Sequence, residues 1–163
     1  KQLCAFVFIL VLGYPAVAQQ ILPESQRARV VDELLKERLD SLLPVLMDRT
    51  GIDLWVLISR EYNEDPVLRT MLPATWLNAR RRTMLLFYRD GSSGRMDKLA
   101  VARYNIGESI QSAWDKEQEP DQWKRLMDLI RERDPKRIGL NFSADHNIAD
   151  GLDFVSAQGS IPR

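Results

Sequence analysis

The residues of this chain that could carry out chemistry are few, and they do not form a complete catalytic set. The only histidine is His146, which lies beside Asp145 and close to Asp150. A catalytic zinc or two-metal site needs several histidine and carboxylate ligands at matched spacings. One histidine and two carboxylates in a predicted loop therefore favour an ordinary polar loop over a metal site.

Nucleophilic and nucleotide-dependent chemistry also lack their usual sequence signals. A serine triad would have to use His146, and the chain contains no Gly-x-Ser-x-Gly sequence. The one cysteine, Cys4, falls in the leader described below. Neither type of glycine-rich phosphate-binding sequence, the P-loop or the dinucleotide-binding motif, is present. The residues alone therefore predict a segment without a self-contained active site.

Polar residues follow directly after the most apolar segment of the chain. Gly51 precedes an almost continuous apolar run at 52–58. The polar residues that come next are Arg60, Glu61, Tyr62 and Asn63. A short run that is apolar in both side-chain directions is typical of a strand buried on both faces of an α/β sheet. Because open α/β sheets bind ligands just past the carboxyl ends of their strands, these four residues are a candidate binding surface.

Two other groups of charged side chains allow more than one interpretation. Glu61, Glu64 and Asp65 could act in acid–base chemistry. Without a nucleophile or metal as a partner, we interpret them as loop and helix-cap residues. The three arginines at 80–82 could bind an anion such as a peptide carboxylate. Isolated surface charges usually contribute little, so the favoured interpretation is a solvated start to the next strand.

The long helix that must position these residues is predicted at 24–50. Its apolar residues recur at spacings of three and four, Pro44 should kink or split it near Ser41, and Gly51 should end it. The apolar stripe could bind a partner, but packing on the chain's own sheet is the favoured interpretation. The stripe consists of Val31, Leu34, Leu35, Leu39, Leu42, Leu43 and Leu46.

The remaining pattern alternates short helices and strands. A short helix is predicted from Asp65-Pro66 to Pro73, with Val67, Leu68, Met71 and Leu72 as its apolar side. Strands at 83–88 and 99–104 form an antiparallel hairpin, and a helix at 121–134 leads to a strand at 138–142. Residues 107–119 are predicted to be irregular, and a further helix to begin at 147. A hairpin followed by a helix–strand crossover predicts an α/β fold with a mixed β-sheet flanked by helices.

The amino terminus has the pattern of a secretory signal peptide over residues 1–18. A basic start precedes an apolar run at 3–12 and an Ala16-Val17-Ala18 cleavage site. The run is shorter than the roughly 20 residues that cross a bilayer. We therefore expect an exported protein, periplasmic or secreted, with no membrane attachment after leader cleavage. The 23 basic and 23 acidic residues leave no basic excess, so nucleic acid is not an expected partner.

Several segments resemble the amino-terminal domain of the creatinase/prolidase family. Arg-Thr-Gly-Ile-Asp-Leu-Trp-Val-Leu-Ile at 49–58 is similar to the end of that domain's first helix and its first strand. Ser-Arg-Glu-Tyr-Asn-Glu-Asp-Pro at 59–66, with Thr75-Trp76 and the segment at 79–83, resembles one exported bacterial branch of Xaa-Pro aminopeptidases. The segments at 138–143 and 150–152 are similar to a later strand and the loop after it. The likeness covers about residues 25–155.

The resemblance implies that the enzyme's chemistry lies elsewhere. In that family the amino-terminal domain precedes a pita-bread catalytic domain, whose two Asp, one His and two Glu hold a divalent metal ion (manganese, zinc or cobalt). None of those positions exists in this chain, which implies an incomplete domain at 19–163 that has no cofactor and is inactive alone. Arg60, Glu61, Tyr62 and Asn63 would line the substrate cleft, peptide would bind through the full-length protein, and the protein would be a homo-oligomer. The alternative is a stand-alone exported binding or dimerisation module without peptidase activity.

Overall fold

The computed structural model describes residues 21–61 and 65–141. The predicted leader and the predicted helix start at 147 lie outside the described residues, as do His146, Tyr62 and Asn63. The helices are α1 (Glu24–Glu37), α2 (Leu43–Thr50), α3 (Pro66–Thr70) and α4 (Gln122–Arg133). The strands are β1 (Leu54–Arg60), β2 (Arg82–Arg89), β3 (Met96–Val101), β4 (Gln111–Ser112) and β5 (Ile138–Leu140).

A π-helical turn at Arg38–Leu42 joins α1 to α2 without interrupting the helix, so the α-helical bonding pattern changes around Ser41, where a kink or split was predicted. The N–H of Leu43 donates to the carbonyl of Arg38, five residues back. Pro44 lies in the first turn of α2, where a missing N–H is tolerated. The helix ends at Gly51, which adopts a left-handed φ of 65° and donates its N–H to the Asp48 carbonyl.

The five strands form one mixed sheet in the order β4-β3-β2-β1-β5. The long strands β1, β2 and β3 pair antiparallel, whereas β5 runs parallel to β1 and β4 parallel to β3. In the register of β1 with β2, Leu54 lies opposite Tyr88 and Arg60 lies opposite Arg82. The predicted α/β class with a mixed sheet is confirmed.

Strand β1 is buried on both faces, as its apolar run predicted. On one face Leu57 belongs to a core that includes Leu39 and Phe87, under α1, α2 and α3. On the other face Val56 belongs to a second core that includes Leu126 of α4. The sheet is therefore the middle of three layers, and the apolar side chains of β1 contribute to both cores.

Only part of the predicted helical stripe packs on the sheet. The buried residues are Leu35, Leu39, Leu43 and Met47, at a spacing of four. Val31, Leu34 and Leu42 are exposed, which corrects the expectation that the whole stripe is covered. The reason is that a helix packed on a sheet buries the side chains that point at the sheet and leaves the flanking rows in solvent.

Other element boundaries also differ from the prediction. Strand β3 starts at Met96 and ends at Val101, so Arg103 and Tyr104 lie past it and are exposed. The predicted irregular segment 107–119 contains the two-residue strand β4. Val67 is partly exposed, so the buried side of α3 is formed by Leu68, with Met71 and Leu72 just after the helix. Within residues 21–61 and 65–141, no helix combines the length and apolarity that crossing a membrane requires.

Candidate functional site

A surface pocket of about 600 Å³ lies at the end of the sheet where β1 finishes and β2 begins. Its cationic lining consists of Arg60, Arg80, Arg81, Arg82, Arg103 and Lys116. The aromatic residues Trp76, Tyr104 and Trp114 form further parts of its wall. We call this feature the arginine pocket. It brings together side chains from the end of β1, the start of β2 and the two segments that flank β4.

The arginine pocket concentrates positive charge without compensating carboxylates. Among the described residues, none of its six cations forms an ion pair, and no aspartate or glutamate lines it. Some arginines elsewhere do pair, as Arg89 does with Asp48 and Arg133 with Asp97, whereas others such as Arg69 form no ion pair in the described structure. The chain as a whole carries 23 basic and 23 acidic residues. The positive field at the pocket is therefore a local feature of charge placement.

Two of these arginines are neighbours on adjacent strands of the sheet. Arg60 and Arg82 are directly opposed in the antiparallel pairing of β1 with β2, an arrangement that is destabilising for like charges. The pKa of the Arg82 guanidinium is lowered, first by its burial and then by the charge of Arg60. The Nε atom of Arg82 is buried and has no hydrogen-bond partner in the described structure. An unmet buried donor on a charged group is costly, so Arg82 is held here at an energetic cost.

Aromatic side chains and one glutamine hold the pocket's arginines in place. The guanidinium of Arg80 lies 4.5 Å from the ring centre of Trp76, and that of Arg82 lies 5.1 Å from Trp123 of α4. Gln122, the first residue of α4, donates from Nε2 to the carbonyls of Arg82 (3.1 Å) and Val101 (2.6 Å). The start of α4 is thus tied to both β2 and β3 beside the pocket.

Arg81 has a backbone conformation that is uncommon for a side-chain-bearing residue. Its φ is 53°, in the left-handed region. Glu61 matches this conformation, because its N–H donates to the Arg81 carbonyl (2.6 Å) and its carboxylate accepts from the Arg81 N–H (3.2 Å). The reciprocal bonds fix the point where the chain enters β2. Glu61 therefore positions the arginine segment and has one carboxylate oxygen already engaged.

A second polar cluster lies near the carboxyl ends of β1 and β5, and its bonds are internal. Asp65 is only 2 % exposed, and its carboxylate accepts from the Val67 N–H (2.7 Å) and from Nδ2 of Asn141 (2.8 Å). The Asp65 N–H donates to Oγ of Ser59 (3.1 Å), and Nε1 of Trp55 donates to Oδ1 of Asn141 (3.0 Å). Asp65 is the N-cap of α3, which confirms its interpretation as a helix-cap residue.

The structure describes the sequence-predicted surface only in part. Arg60 is exposed and lines the arginine pocket, and Glu61 adjoins it through Arg81. Tyr62 and Asn63 lie outside the described residues. The arginine triplet leads into β2, which begins at Arg82; Arg80 and Arg81 are exposed as predicted, whereas Arg82 is half-buried. Arg103 and Lys116 were not predicted as site residues, because only the fold brings them to the end of β1.

The arginine pocket groups donors that suit an anion. Its described lining contains no His, Cys, Ser, Asp or Glu, and its Thr83, Tyr104 and Lys116 have no described carboxylate or histidine beside them in the lining that would activate them. Across the described residues, no group of three or more His, Cys, Asp or Glu side chains could hold a metal ion. Comparison of the chain with protein-family models, with curated proteins and with solved structures gives no match.

Proposed function

We propose that the chain is the non-catalytic amino-terminal portion of an exported Xaa-Pro aminopeptidase-like or prolidase-like metallopeptidase. In that protein it forms one wall of the substrate cleft and takes part in oligomer contacts. The observation that carries the proposal is the arginine pocket, which lies just past the carboxyl end of the buried strand β1 and contains Arg60. The resemblance of residues 49–66 to the creatinase/prolidase amino-terminal domain supplies the family, and the mixed α/β sheet agrees with its coarse fold class.

The chemistry of the pocket favours a supporting role. Its guanidinium groups are donors that suit carboxylate and carbonyl oxygens, so they can orient a peptide. Peptide hydrolysis also needs an activated water molecule or a nucleophile. In the proposed full-length protein, a separate catalytic domain would hold the divalent metal ion, namely manganese, zinc or cobalt. The present chain would then affect substrate affinity more than the chemical step.

The oligomer contacts are proposed to involve a second copy of this protein at the outer face of α1 and α2. Exposed apolar side chains follow one another there: Val30, Val31, Leu34, Leu42 and Val45. A row of this kind on a helix is typical of an interface. Replacing Leu34 and Leu42 with glutamate should reduce the oligomer size measured by light scattering. An unchanged size would show that the copies associate elsewhere, or not at all.

The experiment that tests the family proposal begins with the gene. A coding frame that continues past Arg163 into a pita-bread ligand set is expected, and the full-length protein should cleave an Xaa-Pro peptide in the presence of manganese. Arg60→Gln in that protein should raise KM about tenfold, or about 1.4 kcal/mol, with little change in kcat. Arg69→Gln is the matched control, because Arg69 is also exposed but lies on α3 outside the pocket. An unchanged KM for Arg60→Gln would remove Arg60 from the cleft wall.

The second candidate is a stand-alone exported binding or dimerisation module without peptidase activity. The observation in its favour is that the described part of this chain groups six cationic side chains around one pocket. An in-frame stop codon directly after Arg163 would select this candidate over the first.

A further inference from the structure

We propose that the arginine pocket is a binding site for a small polyanion, a ligand with two or more carboxylate or phosphate groups. The inference rests on the binding role proposed above, but it holds equally for a domain of a peptidase and for a stand-alone module. It concerns which chemical class of ligand the pocket takes.

The number of unpaired cations indicates a ligand with more than one charge. Six cationic side chains surround one pocket, and none forms an ion pair among the described residues. A single carboxylate can pair with one guanidinium in the two-bond geometry that these groups favour. It would leave Arg60 or Arg82 uncompensated on opposed strands. A ligand with two separated anionic groups can neutralise both.

Arg82 supplies a fixed guanidinium to the wall of the pocket. Its backbone carbonyl is bonded by Gln122, and its guanidinium stacks on Trp123. Its Nε is enclosed by the protein, so a ligand in the pocket would pair with the rest of the guanidinium. An anionic group there would oppose the charge of Arg60, which the structure otherwise places against Arg82.

The dimensions of the pocket favour a small molecule over a polymer. About 600 Å³ lies within the range of ordinary ligand sites, which run from roughly 300 to 1,000 Å³. Nucleic-acid binding would need a basic excess spread over a face of the protein, whereas the chain is neutral overall. Trp76 and Trp114 add apolar wall beside the cations, so the ligand can carry a carbon skeleton between its anionic groups.

Isothermal titration calorimetry of the full chain at low ionic strength tests the proposal. The probes are pyrophosphate and citrate as polyanions and acetate as the monoanion. We expect one pyrophosphate or citrate to bind per chain, at least tenfold more tightly than acetate, with an affinity that falls as salt is added. Tighter binding of pyrophosphate would identify a phosphate ligand, and tighter binding of citrate a polycarboxylate. Equal affinities for pyrophosphate and citrate would show that the number of negative charges, and not the type of anionic group, determines the affinity. If neither binds, or if acetate binds as well, the proposal is wrong.

Variants locate the binding. Arg82→Gln should weaken binding at least tenfold, and Arg69→Gln should not change it. Arg103→Gln is the second pocket variant, because Arg103 is exposed and its replacement does not disturb a strand. Normal binding by both pocket variants would overturn the inference even if the polyanion binds. Because these measurements need no peptidase activity, an inactive full-length protein would refute the proposed family and leave this result unaffected.

Discussion

The buried carboxylate of Asp65 joins two separate parts of the fold. It caps α3 through the Val67 N–H and accepts from Asn141, which follows β5. We expect Asp65→Ala to lower the free energy of unfolding by about 2–3 kcal/mol, because a cap is lost and buried donors are left unpaired. Asp65→Asn should cost about 1 kcal/mol, since asparagine caps equally well but offers only one acceptor oxygen. Urea denaturation measures both. Equal losses for the two variants would mean that the cap contributes nothing beyond the Asn141 bond.

Gly51 is a position where the backbone itself restricts the residue type. Its φ of 65° is unfavourable for a side chain, and an added Cβ would lie 2.7 Å from Nη1 of Arg137. Gly51→Ala should therefore destabilise the chain by about 1–2 kcal/mol. Gly91→Ala is the control, because a Cβ there meets nothing within 4 Å. The difference between the two thermal midpoints measures the effect, and similar midpoints would contradict it.

At the scale of elements, the π-helical turn provides a pair of neighbouring leucines with opposite environments. Leu39 is fully buried against the sheet, whereas Leu42 is 48 % exposed. Leu39→Ala should cost about 2–5 kcal/mol through lost apolar contact and a cavity, and Leu42→Ala less than about 1 kcal/mol when the chain is monomeric, because only the proposed second copy would cover Leu42. Guanidinium chloride unfolding of the two variants at low protein concentration is the measurement. A large loss for Leu42→Ala in the monomer would contradict this difference.

The elements that local chemistry determines could be predicted from the sequence. Gly51, Pro44 and Asp65 act through their own backbone or their immediate neighbours, and each of them behaves as its residue type indicated. Strand β4 could not be predicted, because two residues acquire strand character only by pairing with β3. The arginine pocket was predicted in part. Arg60 and the triplet at 80–82 stood out locally, whereas Arg103 joins them only because β3 ends beside the start of β2.

At the scale of the whole molecule, two carboxylates fasten the helical layer to the sheet. Asp48 of α2 pairs with Arg89 at the end of β2 through two bonds of 2.9 and 3.0 Å. Asp40 in the π-helical turn pairs with Lys36 and with Lys98 of β3. Hydrogen bonds from Arg89 lower the pKa of Asp48, and those from Lys36 and Lys98 lower the pKa of Asp40. Both links therefore join separate layers of the fold.

These links predict how stability responds to acid. A carboxylate whose pKa is lowered on folding stabilises the folded chain above its ordinary value of 3.8, and this stabilisation is lost as the pH falls below that value. The thermal midpoint should fall from about pH 4 downward. Asp48→Asn should be less stable than the parent at pH 7 and should approach it at pH 2.5. Glu33→Gln is the control, because Glu33 is exposed and unpaired in the described structure. Parallel curves for the parent and Asp48→Asn would contradict the assignment.

The order of the strands also bears on aggregation. The three long strands occupy the middle of the sheet, and within the described residues its margins are the two-residue β4 and the three-residue β5. A long unpaired strand exposes backbone donors and acceptors that can template a neighbouring chain, and a short one offers few. Within the described residues, β4 and β5 cover only part of the long strands beside them, since β5 pairs with three residues of β1 and β4 with two of β3. The apolar helical row lies on other elements, so association of copies through it would not have to extend the sheet.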